Sequence, residues 1–416
     1  MSDNESSRVD RRGFLQAGAM ASAAALAVGS PSRGDGPVAA KATLPTRKLG
    51  KTGAEVTLVN QGTWRSSGVD RLIRLSYERG VRTYDTAAAY GSEPNFRKWF
   101  AEKPEVRKEI FLVSKTNART VDEFVKELDN RLKQTGTDHL DLYFWHAMGD
   151  HPEQRRACRE ASFAKSPEFA RAIEKIKASG KARFVGFSTH NVRRADYIRA
   201  AAEGKFVDAI MVQYSPFLDK ESPLNRALDA AHGAGIGLIS MKQSAGQFGG
   251  AQGLPTPLQE AVARLAPVLK ERGLSAFQGL LQAIWTDERM STSCVTMTNT
   301  AQVNENTEAA RKFEPLKAAE LGQLRDAALA ASPTFCADCE GKCASAAGTR
   351  ARLGDLARYL TYHEHHGYRG EARAYYAELT DAERDWAGAD LDAARAACPN
   401  KLDFAALLPE ADRLLS

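Results

Sequence analysis

The sequence lacks both long apolar runs and a large excess of charge of either sign. No apolar run reaches the length of about eighteen residues that crosses a bilayer, so we expect no transmembrane segment in the mature chain. Lys and Arg number 57 against 52 Asp and Glu, and the net charge of +5 is spread without a basic block. The charge pattern therefore carries no electrostatic signal of nucleic-acid binding, and we expect none. What is present, 43% hydrophobic and 26% charged residues over 416 positions, suits a globular protein with a sizeable core.

Four ionisable side chains stand at or just after the ends of three short apolar runs: Asp85, Tyr90, Lys115 and His146. The runs have the length of β-strands. In a (β/α)8 barrel all parallel strands point their carboxyl ends at one face, where the active site lies. Taken alone, each residue also has a structural explanation, such as a helix cap, a surface lysine or a hydrogen-bonded histidine. Four of them at successive strand ends favour a site.

Strand-like and helix-like segments alternate along the chain. A hairpin over residues 47–59 leads into a first predicted strand that has residues 62–64 at its end. The seven further predicted strands are residues 80–84, 110–114, 140–145, 183–187, 209–213, 237–241 and 293–296. Apolar residues four apart, such as Phe124, Leu128 and Leu132, predict helices between the strands. Alternation at this spacing predicts parallel pairing with right-handed crossovers. We therefore predict an α/β fold, a (β/α)8 TIM barrel, over residues 43–328.

The four side chains suit proton transfer coupled to hydride transfer. A free tyrosine has a pKa of about 10. A nearby lysine ammonium lowers that pKa, an aspartate holds the lysine in place, and a histidine can donate to a carbonyl oxygen. The segment over residues 85–91 and the order of the four side chains resemble the catalytic tetrad of the aldo-keto reductases, and the resemblance extends over residues 44–310.

The resemblance implies an NAD(P)-dependent oxidoreductase that interconverts a carbonyl and an alcohol. Tyr90 would act as general acid/base, Lys115 and Asp85 would tune it, and His146 would orient the oxygen of a small-molecule carbonyl substrate. The alternative is a non-enzymatic electron-transfer or binding protein built on a degenerate reductase barrel.

The resemblance also implies NADP or NAD at the carboxyl ends of strands five to eight. The matching positions are Ser188, Asn191, Gln213, Met241, Lys242, Thr298, Gln302, Glu305 and Asn306. Ser188 and Gln213 match carboxamide-binding residues, Asn191 stands two positions past the expected asparagine, and Met241 replaces a stacking aromatic ring. Gln302 stands where NADP-selective members carry a basic residue for the 2′-phosphate. NAD use, weak cofactor affinity and a lost cofactor therefore stay open beside NADP.

Residues 1–42 are predicted to lie outside the fold. A twin-arginine motif at residues 10–16 precedes an Ala-rich apolar stretch over residues 17–28, and residues 40–42 are a candidate cleavage site. The segment resembles a twin-arginine export signal. The resemblance implies transport of the folded protein by the twin-arginine export machinery and a periplasmic location. A disordered basic tail is the alternative.

Residues 329–416 form a predicted, mainly α-helical extension that holds four of the six cysteines: Cys336, Cys339, Cys343 and Cys398. Their spacing resembles the ferredoxin-like tail of a subset of aldo-keto reductases, with both cysteine motifs incomplete. The resemblance implies one [4Fe–4S] cluster on these four residues and a redox partner. One extra residue before Cys343 departs from the ferredoxin spacing, so structural zinc, disulfides or a decayed site are alternatives.

The two remaining cysteines and a histidine group can be explained by structural roles. Cys158 is predicted in a polar loop, and Cys294 is predicted to be a small buried hydrophobe in the last strand. His363, with two further histidines at positions 365 and 366, either joins a metal site or lies at the polar end of a helix that starts at Leu353.

Overall fold

A short antiparallel hairpin of β1 (Thr46–Lys48) and β2 (Glu55–Thr57) opens the described part of the chain. The computed structural model describes residues 43–64, 66–149, 158–191, 193–243, 262–331, 334–337, 339, 341–364 and 369–416. Leu49 and Val56 of the hairpin pack with residues such as Phe111 and Leu142 in one buried cluster. The predicted hairpin is confirmed.

Eight parallel strands then close into a barrel in which each strand pairs with its neighbours in sequence and the last pairs with the first. They are β3 (Val59–Gly62), β4 (Thr83–Asp85), β5 (Phe111–Thr116), β6 (Leu140–Trp145), β7 (Ala182–Thr189), β8 (Ala209–Gln213), β9 (Gly237–Met241) and β10 (Met290–Thr296). The predicted (β/α)8 barrel is confirmed, and β6, β8 and β9 have the predicted bounds.

Helices surround the barrel. They include α1 (Val69–Glu78), α2 (Glu93–Glu102), α3 (Glu105–Glu109), α4 (Val121–Thr135), α5 (Pro167–Ala178), α6 (Arg194–Gly204), α7 (Pro223–Gly233), α8 (Pro267–Glu271), α9 (Ala276–Thr286), α10 (Thr300–Arg311) and α11 (Ala318–Ala331). In α4 the Thr120 hydroxyl accepts a hydrogen bond from the Glu123 amide at 3.1 Å and so caps the helix. The predicted apolar stripe of α4 faces inward, because Phe124 and Leu128 are buried.

Strands β7 and β8 approach each other unusually closely at Gly186. A Cβ at this position would lie 1.8 Å from the carbonyl oxygen of Ala209, its partner in the register. Only glycine fits there. The close approach fixes the spacing of two strands whose ends carry Ser188 and Gln213.

The C-terminal extension is helical and has its own core. Its helices are α12 (Lys342–Ala346), α13 (Leu353–Glu364), α14 (Arg369–Ala377), α15 (Asp381–Arg384), α16 (Leu391–Ala397) and α17 (Phe404–Leu415). Leu353, Leu356 and Leu360 of α13 pack with Phe404 and Leu408 of α17. The predicted helix from Leu353 onward is confirmed.

The extension lies against the loop that follows β8. The Asp219 amide donates a hydrogen bond to the Ala337 carbonyl at 3.2 Å, and Lys342 Nζ lies 2.8 Å from an Asp219 carboxylate oxygen. The extension is thereby attached at the carboxyl-end face of the barrel, where the predicted site lies.

Within the described ranges, no helix has the length and hydropathy that a membrane crossing requires. Residues 1–42, with the predicted export signal, lie outside those ranges, and so do the histidines at positions 365 and 366.

Candidate active site

The ends of three neighbouring strands bring the predicted tetrad together. Asp85 is the last residue of β4, Lys115 lies next to the end of β5, and His146 follows β6. Parallel pairing of β4 with β5 and of β5 with β6 places these ends at one face. Tyr90 completes a short 3-10 turn, Ala88–Tyr90, directly after β4.

Lys115 and Asp85 form a buried ion pair. Lys115 Nζ lies 2.5 and 2.6 Å from the two carboxylate oxygens of Asp85 and donates to the Thr86 carbonyl at 2.9 Å. Lys115 is 1% exposed and Asp85 2% exposed, so little water screens the pair. Burial raises the pKa of Asp85, and Lys115 opposes that rise.

Tyr90 lies between this ion pair and His146. Lys115 Nζ is 5.2 Å from the centre of the Tyr90 ring. The Tyr90 hydroxyl is 3.4 Å from His146 Nε2, and the two rings meet edge to face. A phenol between an ammonium and an imidazole can give up a proton and take it back, because the ammonium stabilises the phenolate.

The Cys294 thiol also contacts the ion pair, and sequence reasoning missed this contact. Its thiol hydrogen-bonds the Asp85 carboxylate, and burial together with that carboxylate raises the pKa of Cys294 well above its usual value. A Cβ at Gly62 would lie 3.2 Å from the Cys294 sulfur, so the neighbouring strand leaves room for the thiol. The prediction of a simple buried hydrophobe was incomplete; alternation along β10 would have placed the residue inside the barrel.

Ser188 and Asn191 hold the loop that follows His146. Ser188 Oγ accepts a hydrogen bond from the Ala147 amide at 3.0 Å, and Asn191 Nδ2 donates to the Gly149 carbonyl at 2.7 Å. Both predicted cofactor positions therefore lie at the end of β7, beside the tetrad, and here their side chains bind protein backbone.

Gln213 contacts the C-terminal extension. Its Nε2 donates to the Tyr362 hydroxyl at 2.8 Å, and its Oε1 lies 3.0 Å from the same hydroxyl. Met241 and Lys242 follow at the end of β9, both half-buried, and Lys242 has φ 51° in the left-handed region. The contact with Tyr362 spans 149 residues, and no sequence pattern signals it.

The predicted dinucleotide segment forms the start of α10. Gln302 Oε1 accepts hydrogen bonds from the Thr298 amide at 2.6 Å and from the Thr298 hydroxyl at 3.1 Å. The Glu305 carboxylate accepts a hydrogen bond from Ser275. Asn306 Oδ1 is buried and accepts no hydrogen bond from any described residue. This acceptor fits a ligand donor such as an amino group of adenine.

The four cysteines of the extension are neighbours. Cys339, Cys343 and Cys398 are buried and Cys336 is half-buried, and none of the four is in a disulfide bond. Burial, together with the three other cysteines, raises the pKa of the Cys343 thiol to about 12. The disulfide alternative is therefore not what this structure contains. As placed, the described His, Cys, Asp and Glu side chains form no group of three or more that could hold a metal ion.

A cavity of about 350 Å3 separates the cysteine group from the barrel. Its lining includes three cysteines and five arginines: Cys336, Cys339, Cys343, Arg193, Arg194, Arg350, Arg352 and Arg358. Arg358 Nη2 lies 3.9 Å from the Cys336 sulfur. Asp196 and Asp355 also line the cavity and pair with Arg193, Arg352 and Arg358. With five arginines against two aspartates the lining stays positive, which suits an anionic group.

Burial differs from expectation at two other positions. Cys158, which the sequence places in a polar loop, is fully buried, and its carbonyl accepts a hydrogen bond from Tyr197 at 2.7 Å. His363 lies at the end of α13, as predicted, but is only 6% exposed. In both cases tertiary packing covers a residue that lies in a polar stretch of sequence.

Comparison with known proteins agrees with this geometry. Residues 59–328 match the sequence model of the Aldo/keto reductase family. The chain is 30% identical over 185 residues to aldo-keto reductase family 1 member A1 of Pongo abelii. The matched region covers 40% of this chain and 56% of that protein. It is 27% identical over 195 residues to glycerol 2-dehydrogenase (NADP(+)) of Saccharomyces cerevisiae, over 42% of this chain and 62% of that protein. The chain thus spans a little over half the length of these curated relatives.

Solved structures share the fold. The holo form of aldo-keto reductase AKR11C1 from Bacillus halodurans superposes with a TM-score of 0.52 at 20% identity, over 68% of this chain and 92% of that one. At this identity the likeness supports the barrel fold alone.

Proposed function

The chain belongs to the Aldo/keto reductase family, and on that premise we propose that it interconverts a small carbonyl compound and the corresponding alcohol, with a nicotinamide dinucleotide as hydride carrier. One observation carries the proposal. A buried ion pair of Lys115 and Asp85 lies beside the Tyr90 ring, whose hydroxyl is 3.4 Å from His146. A structural role alone does not require a half-exposed phenol at the end of a buried ion pair.

In this proposal each side chain has a separate task. When bound, the dinucleotide supplies or accepts the hydride. Tyr90 donates a proton to the carbonyl oxygen during reduction and removes it during oxidation. Lys115 stabilises the phenolate that remains, Asp85 holds the ammonium in place, and His146 donates to the substrate oxygen.

We propose NADP or NAD as the carrier, and Gln302 as the residue that decides between them. Gln302→Arg is expected to tighten NADPH binding by about tenfold and NADH binding much less, since only NADPH offers a 2′-phosphate to a guanidinium. Dissociation constants from fluorescence titration measure the ratio. Gln302→Met is the matched control, with similar length and no charge. If the arginine and methionine chains show the same NADPH-to-NADH ratio, Gln302 does not face the 2′-phosphate.

We further propose that Cys336, Cys339, Cys343 and Cys398 hold one [4Fe–4S] cluster. Three observations support this proposal. The other three cysteines help to raise the pKa of Cys343, a cavity lies beside three of the thiols, and arginines line that cavity. A cluster bound by four thiolates is anionic, which suits the arginines. A single zinc ion with bonds of about 2.3 Å needs no such cavity. Ligation requires the thiols to lose their protons and converge from their present positions.

Cys398→Ser is expected to lower the iron content of anaerobically purified protein from about four irons per chain to near zero, because a three-thiolate site holds the cluster weakly. Cys158→Ser is the control. Cys158 is buried outside the group of four cysteines, so this variant should keep the iron. Iron and acid-labile sulfide are measured per folded chain. Zinc in place of iron, or equal iron in both variants, would contradict the cluster.

We propose that the chain is exported through the twin-arginine route to the periplasm. The motif at residues 10–16 and the apolar stretch after it support this proposal. A route that carries folded proteins also suits a protein whose cluster is inserted before export. Fractionation of cells that produce the full chain decides the point, and a chain found only in the cytoplasm would exclude export.

The alternative function, a non-enzymatic electron-transfer or binding protein, is favoured by one observation. Gln213 is hydrogen-bonded to the Tyr362 hydroxyl, whereas in the proposed enzyme the Gln213 side chain binds the nicotinamide. Dinucleotide released from the purified protein on denaturation supports the enzyme, whereas a protein that never binds dinucleotide supports the alternative.

A further inference from the structure

We propose that the C-terminal extension locks the cofactor site, and that a dinucleotide binds only after Tyr362 releases Gln213. The lock regulates the site assigned above and therefore rests on the proposed oxidoreductase function. Its central contact joins the phenol of Tyr362, on α13, to both polar atoms of the Gln213 carboxamide, at 2.8 and 3.0 Å.

The space beside Gln213 is too small for a nicotinamide. The cavity between the barrel and the extension at this point has a volume of about 30 Å3, room for a few water molecules. On the barrel side it is lined by Gln213 and Lys242, and on the extension side by Cys336, Arg358 and Tyr362. A nicotinamide with its carboxamide is many times larger than water. A ring that engages Gln213 from this pocket therefore requires one side of the pocket to move.

The barrel side is held in place. Gln213 ends β8, and its carbonyl accepts a hydrogen bond from Arg194 Nε at 3.3 Å. Arg194 is 3% exposed and also donates to the Asn191 carbonyl at 3.2 Å. Neither hydrogen bond involves the extension, so displacing the extension leaves Gln213 in position.

The helices on the extension side have a core of their own. Helix α13 packs its apolar face on α17, in a cluster separate from the main barrel core. Polar contacts connect α13 and α14 to the strand ends. Tyr362 of α13 contacts Gln213, and the Tyr375 hydroxyl of α14 lies 3.4 Å from His190 Nδ1. The Lys342–Asp219 ion pair and Phe335, which packs in the main barrel core, also attach the extension and can stay in place. The movement is therefore confined to α13 and α14, where breaking neutral hydrogen bonds costs far less than opening a hydrophobic core.

The lock implies competition for one group. The Gln213 carboxamide has the donor and acceptor that a nicotinamide carboxamide would use, and the Tyr362 hydroxyl engages both. The apparent dissociation constant of the dinucleotide is then the intrinsic value divided by the fraction of unlocked chains. A change that weakens the lock therefore tightens dinucleotide binding.

Tyr362→Phe in the full chain tests the lock, because it removes the hydroxyl and keeps the ring. We expect the dissociation constants of NADPH and NADH to fall about fivefold, the effect of losing the hydrogen bonds of one neutral hydroxyl from the locked form. Tyr359→Phe is the matched control on the same helix. Tyr359 is buried, and its ring stacks on the Tyr375 ring with the centres 5.6 Å apart. Because the Tyr359 hydroxyl has no part in the proposed lock, its removal should leave both dissociation constants unchanged.

A second measurement uses the unaltered protein. Saturating NADPH should speed amide hydrogen exchange in residues 353–364, because the helix leaves its contact with Gln213. Equal or weaker dinucleotide binding by Tyr362→Phe would overturn the lock, and so would slower exchange in this helix on NADPH binding. If no chain binds either dinucleotide, the proposed oxidoreductase function fails and the lock fails with it. If all chains bind equally, only the lock is wrong.

Discussion

Replacing Tyr90 by phenylalanine is expected to lower kcat for carbonyl reduction by about two to four orders of magnitude, the usual contribution of a general acid. The change removes one oxygen and its proton and leaves the ring beside Lys115. Dinucleotide affinity should stay within about twofold, because the hydroxyl acts in proton transfer rather than in holding the hydride carrier.

The measurement is oxidation of NADPH or NADH with a panel of small aldehydes and ketones, alongside dissociation constants for the dinucleotide. Tyr77→Phe is the control. Tyr77 lies on α1 away from the tetrad, and its hydroxyl contacts Glu109. If Tyr90→Phe turns over near the unaltered rate, another group supplies the proton and the assignment of the tetrad is wrong.

The tetrad could be predicted because each member has a local signal. A strand of the barrel reads as a short apolar run, and the residue at its carboxyl end must face the same side as its neighbours. Asp85, Lys115 and His146 needed no knowledge of the rest of the chain. The same rule found the ends of β7, β8 and β9, with Ser188, Gln213 and Met241.

What those residues bind could not be predicted. Ser188 and Asn191 contact the loop at residues 147–149, and Gln213 contacts Tyr362, which lies 149 positions further on. Tyr362 lies near the end of α13, a helix that the sequence predicts without indicating where it packs. Contacts at such separation depend on how a separate helical unit docks, and no periodicity or motif encodes that.

The cysteines show the opposite limit. Their spacing indicates a shared site, and the structure brings Cys336, Cys339, Cys343 and Cys398 close enough to affect one another. The spacing says nothing of the five arginines nearby, which come from both the barrel and the extension. Those charges favour an anionic group over a neutral one at this place.

Replacing Lys115 by methionine is expected to destabilise the fold by about 3–5 kcal/mol, the cost of leaving a buried charge without its partner. Methionine has nearly the length and volume of lysine, so packing changes little. Asp85 would remain 2% exposed, and among the described residues the thiol of Cys294 would still hydrogen-bond its carboxylate. Urea denaturation at several pH values measures the effect.

The pH dependence of that loss has a definite sign. Burial already raises the pKa of Asp85, and Lys115 opposes the rise. Without Lys115 the pKa rises further, so the folded variant binds a proton that the unfolded chain, with a pKa of about 3.9, has released. The folded state then binds more protons than the unfolded state above that value, and stability falls as pH rises toward the folded pKa. The variant should therefore lie closest to the unaltered protein at acidic pH and furthest from it at neutral pH.

The double variant Asp85→Asn with Lys115→Met separates charge from packing. It removes both charges and should recover most of the stability lost in Lys115→Met, with little dependence on pH between 4 and 8, in the way that buried ion pairs replaced together are often neutral. It should recover none of the activity, because the phenolate of Tyr90 still lacks its cation. A double variant no more stable than Lys115→Met would trace the loss to packing, and a recovery of activity would place the cation that supports Tyr90 elsewhere.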